Sequence, residues 1–194
     1  ENGFGHDPRV VGETITLAAG AGVGGGSIED STNDASDAQY ELAHAVERIR
    51  AAVDAARRLP FHFTLTARAE NFAVARPDLA DTIRRLQHYQ EAGADVLFAP
   101  GLARREDIAT LVRSVDRPVN VMIGSPGMDL SVDELFVLGV RRVSVGGSLA
   151  RAAFGALLRA AGELQAQGTC GYAALGATSA YLNEAFKERQ GSEA

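Results

Sequence analysis

The stretch that decides the reading is Ser27-Ile28-Glu29-Asp30, taken with Glu1-Asn2-Gly3-Phe4-Gly5 at the start of the chain. Each places acidic residues at or just past the end of an apparent buried strand. In parallel α/β proteins, ligands and metals gather at the carboxyl ends of the strands. The chain opens on Glu1, inside what reads as one such loop. We therefore expect it to be part of a larger barrel whose first strands precede Glu1.

Outward from these segments the pattern alternates between helix and strand. Asp7-Pro8 supplies an N-cap with proline at the first helical position, and Gly20-Ala21-Gly22 stops the helix. A short strand is expected over 23–30, then a polar loop over 31–39, longer than an ordinary βα turn. The spacing of Leu42, Ala45, Val46, Ile49 and Val53 predicts a helix over 40–59, ended by Pro60. In the next strand, 61–70, Phe61, Phe63 and Leu65 alternate with His62, Thr64 and Thr66. Helix 77–93, strand 94–100, helix 104–115 and strand 118–123 follow. A capping box, Ser131-Val132-Asp133-Glu134, opens a short helix over 131–138. Strand 140–145 and a long helix over 148–167 complete the run. A charged helix is expected over 180–189, with Tyr181, Leu182 and Phe186 as a docking stripe.

Strands that alternate strictly with helices imply a parallel sheet. An open doubly wound sheet and a closed (β/α)8 barrel both satisfy that pattern. A barrel takes roughly 250 residues, so three further βα units before Glu1 would bring this chain of 194 residues to about that size. Alone, the sheet is expected to leave two open edges and an uncovered apolar face, to be covered by the missing strands or by a partner.

Composition narrows the class. Hydrophobic residues make up 46% and charged residues 23%, as in soluble globular proteins. The formal net charge of -6, with arginines scattered rather than striped, argues against nucleic acid or an anionic membrane surface as partner. No apolar run is long enough to span a bilayer. A single cysteine, Cys170, allows no internal disulfide, and a reducing cytoplasmic setting is the default. Lys187 is the one lysine and lies outside the barrel pattern, which counts against Schiff-base chemistry.

Few residues can carry chemistry. Carboxylates at the strand ends, Glu1, Glu29 and Asp30, can hold Mg²⁺ through one or two direct ligands and waters; equally, Glu29 and Asp30 can cap the loop and pair with arginine. Arg68, near the end of its strand, can grip a carboxylate with two parallel hydrogen bonds, and Glu70 faces the same side to orient it or take a proton. Asn120 is a polar amide between apolar residues; it must bond either a substrate oxygen or a neighbouring strand. The turn at Gly146-Gly147 reads more simply as a tight βα connection than as an anion site. Of the histidines, His6 alone falls beside the site; His44 and His88 are expected on helix surfaces.

Taken in order, several segments resemble the isocitrate lyase/phosphoenolpyruvate mutase superfamily, over Glu1 to about Leu164. Glu1-Asn2-Gly3-Phe4-Gly5 with Asp7-Pro8 is similar to the tail of its Asp-x-(Asp/Glu)-x-Gly-(Tyr/Phe)-Gly metal loop. Gly26-Ser27-Ile28-Glu29-Asp30 resembles its Ile-Glu-Asp strand end, and Thr66-Ala67-Arg68-Ala69-Glu70 its Ala-Arg-x-(Glu/Asp) strand. Tyr89-x-x-Ala92-Gly93-Ala94-Asp95, Val143-Ser144-Val145-Gly146 and Arg151-Ala152-Ala153 complete the pattern.

The resemblance implies an α/β fold of the (β/α)8 TIM-barrel type, this chain covering roughly strands 4–8 with their helices. Residues 1–169 would form the barrel portion and 170–194 a tail and helix that docks or swaps in an oligomer. It implies Mg²⁺ (or Mn²⁺) at Glu1 and Glu29, and a small 2-oxo or 2-hydroxy carboxylic acid as substrate. Arg68 and Glu29 would be catalytic, and Arg68, Asn120 and Gly3 would bind the substrate. The expected activity is a lyase reaction that cleaves a C–C or P–C bond through an enolate-like species, 2-oxo-acid decarboxylation included. A phosphonopyruvate hydrolase or mutase type of activity, or an inactive barrel with an assembly role, are the alternatives. The family's first metal-loop Asp would lie two positions before Glu1. Loop 31–37 lacks the Lys-Lys-Cys-Gly-His of isocitrate and methylisocitrate lyases, which argues against those two reactions. A homodimer or homotetramer is expected.

Overall fold

A computed structural model describes residues 2–125 and 127–187. The chain forms two compact units, residues 1–146 and 147–194. In the first, α1 (Pro8–Gly20), β1 (Gly25–Glu29), α2 (Leu42–Arg57), β2 (Thr64–Arg68) and α3 (Leu79–Glu91) are followed by β3 (Val96–Phe98), α4 (Arg105–Arg113), β4 (Val119–Met122), α5 (Val132–Val137) and β5 (Arg142–Ser144). The strands form one parallel sheet in the order β1-β2-β3-β4-β5. This is the α/β alternation expected, each strand beside the next in sequence.

Local chemistry sets the boundaries. The Asp7 side chain caps α1 by accepting from the Arg9 N–H at 2.7 Å. Ser131 and Glu134 form the reciprocal capping box of α5. The strands are shorter than the sequence suggested. Residues 61–63 precede β2, and Phe61 is exposed instead of alternating into the core. β1 likewise starts at Gly25, leaving Val23 exposed.

Side chains alternate across the sheet. Ile28, Leu65, Ala67, Leu97, Val119 and Val121 belong to the apolar core, together with Val11 and Ile15 of α1, Ile49 and Val53 of α2, Leu86 of α3 and Ile108 of α4. The opposite face carries Ser27, Glu29, Thr66, Arg68, Phe98, Asn120, Arg142 and Ser144. The polar residues of that face are set among Val96, Phe98 and Met122.

The second unit holds α6 (Ser148–Gln167), a 3-10 turn (Gly171–Leu175) and α7 (Ser179–Ala185). Glu163 ties the turn to α6, accepting from Thr169 Oγ1 at 2.7 Å and from the Gly171 and Tyr172 N–H groups at 2.6 and 3.0 Å. The expected terminal helix is found, beginning at Ser179; the end foreseen for it, residues 188–189, lies outside the described residues. No described helix is long and apolar enough to cross a membrane.

Candidate active site

Strand register assembles the site. Glu29 is paired with Arg68, Arg68 with Phe98, Phe98 with Asn120 and Asn120 with Arg142. One row near the carboxyl ends of the strands therefore carries three of the residues singled out from the sequence. Because the strands are parallel and in register, these side chains share a face. The Arg68 guanidinium bridges two carboxylates, Nη2 to Glu29 Oε2 at 3.0 Å and Nε to Glu70 Oε1 at 2.8 Å. It also lies over the Phe98 ring, 5.3 Å from its centre. The Arg68 side chain keeps 22% of its surface open, against 10% for Glu29 and 6% for Glu70. The cation is the more accessible member and could meet an incoming anion.

Asn120 is buried and its amide is engaged across the sheet. Nδ2 donates to Ser144 Oγ at 3.0 Å, and Oδ1 accepts from Arg142 Nε at 3.1 Å. Of its two foreseen options, the bond to a neighbouring strand is the one formed.

Asp30 is held differently from Glu29. It is 3% exposed, and both its oxygens are taken. Oδ1 accepts from the Glu70 N–H at 2.8 Å; Oδ2 accepts from Tyr89 Oη at 2.6 Å, Gln39 Nε2 at 3.0 Å and Arg85 Nη1 at 3.1 Å. Arg85 also donates to Asp81 Oδ2 at 2.7 Å and to the Tyr40 carbonyl at 2.9 Å. Asp30 thus fastens β1 to β2 and α3, and fixes the backbone on which Glu29 and Glu70 stand. Burial pushes the Tyr89 hydroxyl up, and the Asp30 charge beside it acts the same way.

Glu70 has the most altered acidity at the rim. Burial raises its carboxyl from the ordinary 4.5 to about 7, against the opposing pull of Arg68. It can therefore exist in both protonation states near neutrality, as a proton-transfer group requires.

The segment before α1 is irregular. Gly3 has φ +81°, and a β-carbon there would stand 2.9 Å from Val11 Cγ2, so this backbone requires glycine. The Gly3 carbonyl accepts from Thr14 Oγ1 at 2.8 Å. His6 lies beside it, its Nδ1 2.6 Å from Tyr40 Oη. His44 lies at the surface of α2 as expected, its side chain 38% exposed, with Nε2 2.9 Å from the His6 carbonyl and its ring edge-on to Tyr40 at 5.3 Å. The Gly146 turn has φ +50°, with Met122 Sδ 2.9 Å from a would-be β-carbon, as a tight βα connection demands.

Loop 31–39 folds on itself. Ser31 and Gln39 form an antiparallel bridge, and Asp34 Oδ1 accepts from the N–H and hydroxyl of Ser36 at 2.8 and 2.7 Å. Those bonds hold the Asp34 carboxyl below its ordinary value.

Glu1, the other expected metal ligand, lies outside the described residues. Among those described, no three His, Cys, Asp or Glu side chains converge as a metal cluster. Asp30 is spent on protein donors, so the rim carboxylates left are Glu29 and Glu70, both on Arg68. Mg²⁺ typically takes one or two carboxylates and keeps several waters, and this donor set fits that demand.

Arg48, Arg85 and Gln39 were not foreseen from the sequence, and Tyr89 was noted only as part of a motif and not as a partner of Asp30. The available signal was an arginine on an otherwise buried helical stripe: Arg85 with Thr82, Leu86 and Tyr89, and Arg48 with Ala45, Ile49 and Ala52.

A family profile described as phosphoenolpyruvate phosphomutase matches residues 1–165. The chain belongs to this family, within the isocitrate lyase/phosphoenolpyruvate mutase superfamily, as its motifs suggested. It is similar to the crystal structure of a candidate lyase/mutase from Burkholderia cenocepacia J2315, with 55% identity and a TM-score of 0.94 over 97% of this chain and 68% of that one. It is also similar to oxaloacetate acetylhydrolase solved with its product oxalate, with 26% identity and a TM-score of 0.80 over 94% of this chain and 63% of that one. Among curated sequences, the oxaloacetate decarboxylase of Rhodopseudomonas palustris (strain BisB18) is 29% identical over 136 residues, 68% of this chain and 45% of that protein. The chain spans about half the length of the curated relatives it matches. Those of its relatives with a named activity are enzymes of lyase, mutase and hydrolase type.

Proposed function

We propose that this chain forms roughly the last five βα units of a (β/α)8 barrel and carries the rim of a divalent-metal-dependent lyase for a small 2-oxo or 2-hydroxy acid. The observation that carries the reading is the Glu29–Arg68–Glu70 cluster, a partly open guanidinium between two carboxylates at the ends of β1 and β2. In the proposed complex, Arg68 turns its fork to the substrate carboxylate, a bidentate geometry that lysine cannot reproduce. Glu29, with Glu1, holds the metal, which when bound acts as a Lewis acid toward the acid's oxygens. Gly3 offers its backbone at close range, and Asn120 holds the floor of the row. Glu70, poised near neutrality, moves a proton at the rim.

Relatives that act on oxaloacetate support a 2-oxo dicarboxylate as substrate class. Loop 31–39 contains no cysteine or lysine, which supports a reaction other than isocitrate or methylisocitrate cleavage. Residues 170–194 are proposed to dock or swap between copies in a homodimer or homotetramer.

The test is Mg²⁺-dependent turnover of a panel holding oxaloacetate, phosphonopyruvate and 2-methylmalate-type acids. Turnover lost in Glu29→Gln and Arg68→Ala variants that remain folded supports the assignment. Phosphonopyruvate as sole substrate would redirect it to the hydrolase or mutase type. No turnover and no metal binding would leave the assembly reading.

A further inference from the structure

We propose that Arg48 is a positioning residue whose guanidinium locks residues 2–6 into the shape that brings Gly3 to the site, an inference whose functional part rests on the reading above. Arg48 is 1% exposed and lies in the middle of the packed face of α2, beside Ala45, Ile49 and Ala52. A buried guanidinium costs several kcal/mol unless its hydrogen bonds are met. Among the described residues no carboxylate forms an ion pair with it. Its charge is met by main-chain carbonyls of one short segment. Nη1 donates to the carbonyls of Gly5 and His6 at 2.6 and 2.7 Å, and Nη2 donates to that of Asn2. The face of Tyr40 covers it, 4.2 Å from the ring centre. Among the described residues its buried Nε has no hydrogen-bond partner.

A position needing only packing would be filled at lower cost by leucine or methionine. What the arginine adds is three bonds to carbonyls that no helix or strand can satisfy, because Gly3 at φ +81° and Phe4 at φ +58° interrupt any regular pattern. The other ties to this segment run from Thr14 to Gly3 and from His44 and Tyr40 to His6. Arg48 joins both sides of the Gly3-Phe4 turn, Asn2 before it and Gly5 and His6 after it. The planar fork reaches carbonyls on both sides at once; a lysine ammonium is a single point and cannot.

The test is amide hydrogen exchange of the protein and of Arg48→Lys. The expected result is exchange faster by about tenfold at residues 3–7, with the core amides of α2 unchanged. If wild type shows turnover, the same variant should lose kcat while its α2 protection persists. Unchanged exchange at residues 3–7 overturns the proposal. So does acceleration at all amides together, which would mark Arg48 as core packing alone. Exchange is read without substrate, so it stands whether or not the lyase assignment does. Should Arg48→Lys fail to fold, the unmodified protein still decides. Separate, slowly rotating Nη proton signals for Arg48 are expected by NMR, and averaged signals would refute the lock.

Discussion

Replacing Asp30 with asparagine tests the frame that holds the rim. Its carboxylate takes four hydrogen bonds at 2.6–3.1 Å while 3% exposed. An amide has one acceptor oxygen. Turned toward Tyr89, Gln39 and Arg85, it points its NH2 at the Glu70 N–H, donor against donor. Flipped, it opposes three donors instead. The better orientation strands one buried N–H, at about 1–3 kcal/mol. It also removes the charge that Arg85 faces. Breaking a buried pair costs about 3–5 kcal/mol; the Asp81 bond that Arg85 keeps, at 2.7 Å, places this part near its lower end, so that with the stranded N–H the total is about 4 kcal/mol. In a chain of this size that lowers Tm by about 8–16 °C. Urea unfolding of wild type and Asp30→Asn measures it. Glu13→Gln serves as control, since the exposed Arg9–Glu13 pair at 4.0 Å should contribute under about 0.5 kcal/mol. A loss below about 1 kcal/mol for Asp30→Asn would refute the network as the fastening of β1 to β2 and α3.

Other outcomes follow from the same geometry. Glu70 titrates near 7 when folded against 4.5 when unfolded, so the folded state binds the extra proton between those values. Its contribution is complete below about pH 4.5 and is lost as pH rises through about 7, by up to about 3 kcal/mol. In metal-free buffer, the stability of Glu70→Gln should fall less than that of wild type between pH 5 and pH 8 (about the interval in which Glu70 ionises), and parallel profiles would contradict the assignment. Gly3→Ala meets both a positive φ and Val11 Cγ2 at 2.9 Å, and should cost about 1–3 kcal/mol. Gly24→Ala, with nothing within 4 Å, should change stability far less; equal thermal shifts would show that the Gly3 backbone relaxes freely.

The order of elements was legible because proline, glycine and capping residues punctuate it. Asp7-Pro8 and the Ser131–Glu134 box begin helices as foreseen. Strand lengths were not, since the apolar residues at 61 and 23 mimic a strand period outside any ladder. Glu29, Arg68 and Asn120 were legible as candidates because each stands near the end of its strand. That they fall in a single register row is a property of pairing, which no one strand encodes. The arginines at 48 and 85 escaped notice for a physical reason. A helical stripe is read by its apolar members, whereas these two are buried because carbonyls or carboxylates from distant segments receive them.

The most direct measurement of the central claim is calorimetric binding of oxalate with Mg²⁺ to wild type and to Arg68→Ala. The account predicts saturable binding in wild type that requires the metal. Losing two charge-assisted bonds worth about 1.5 kcal/mol each should weaken it by about a hundredfold in the variant. Equal affinity in the two proteins would show that the Glu29–Arg68 rim is not where the carboxylate binds.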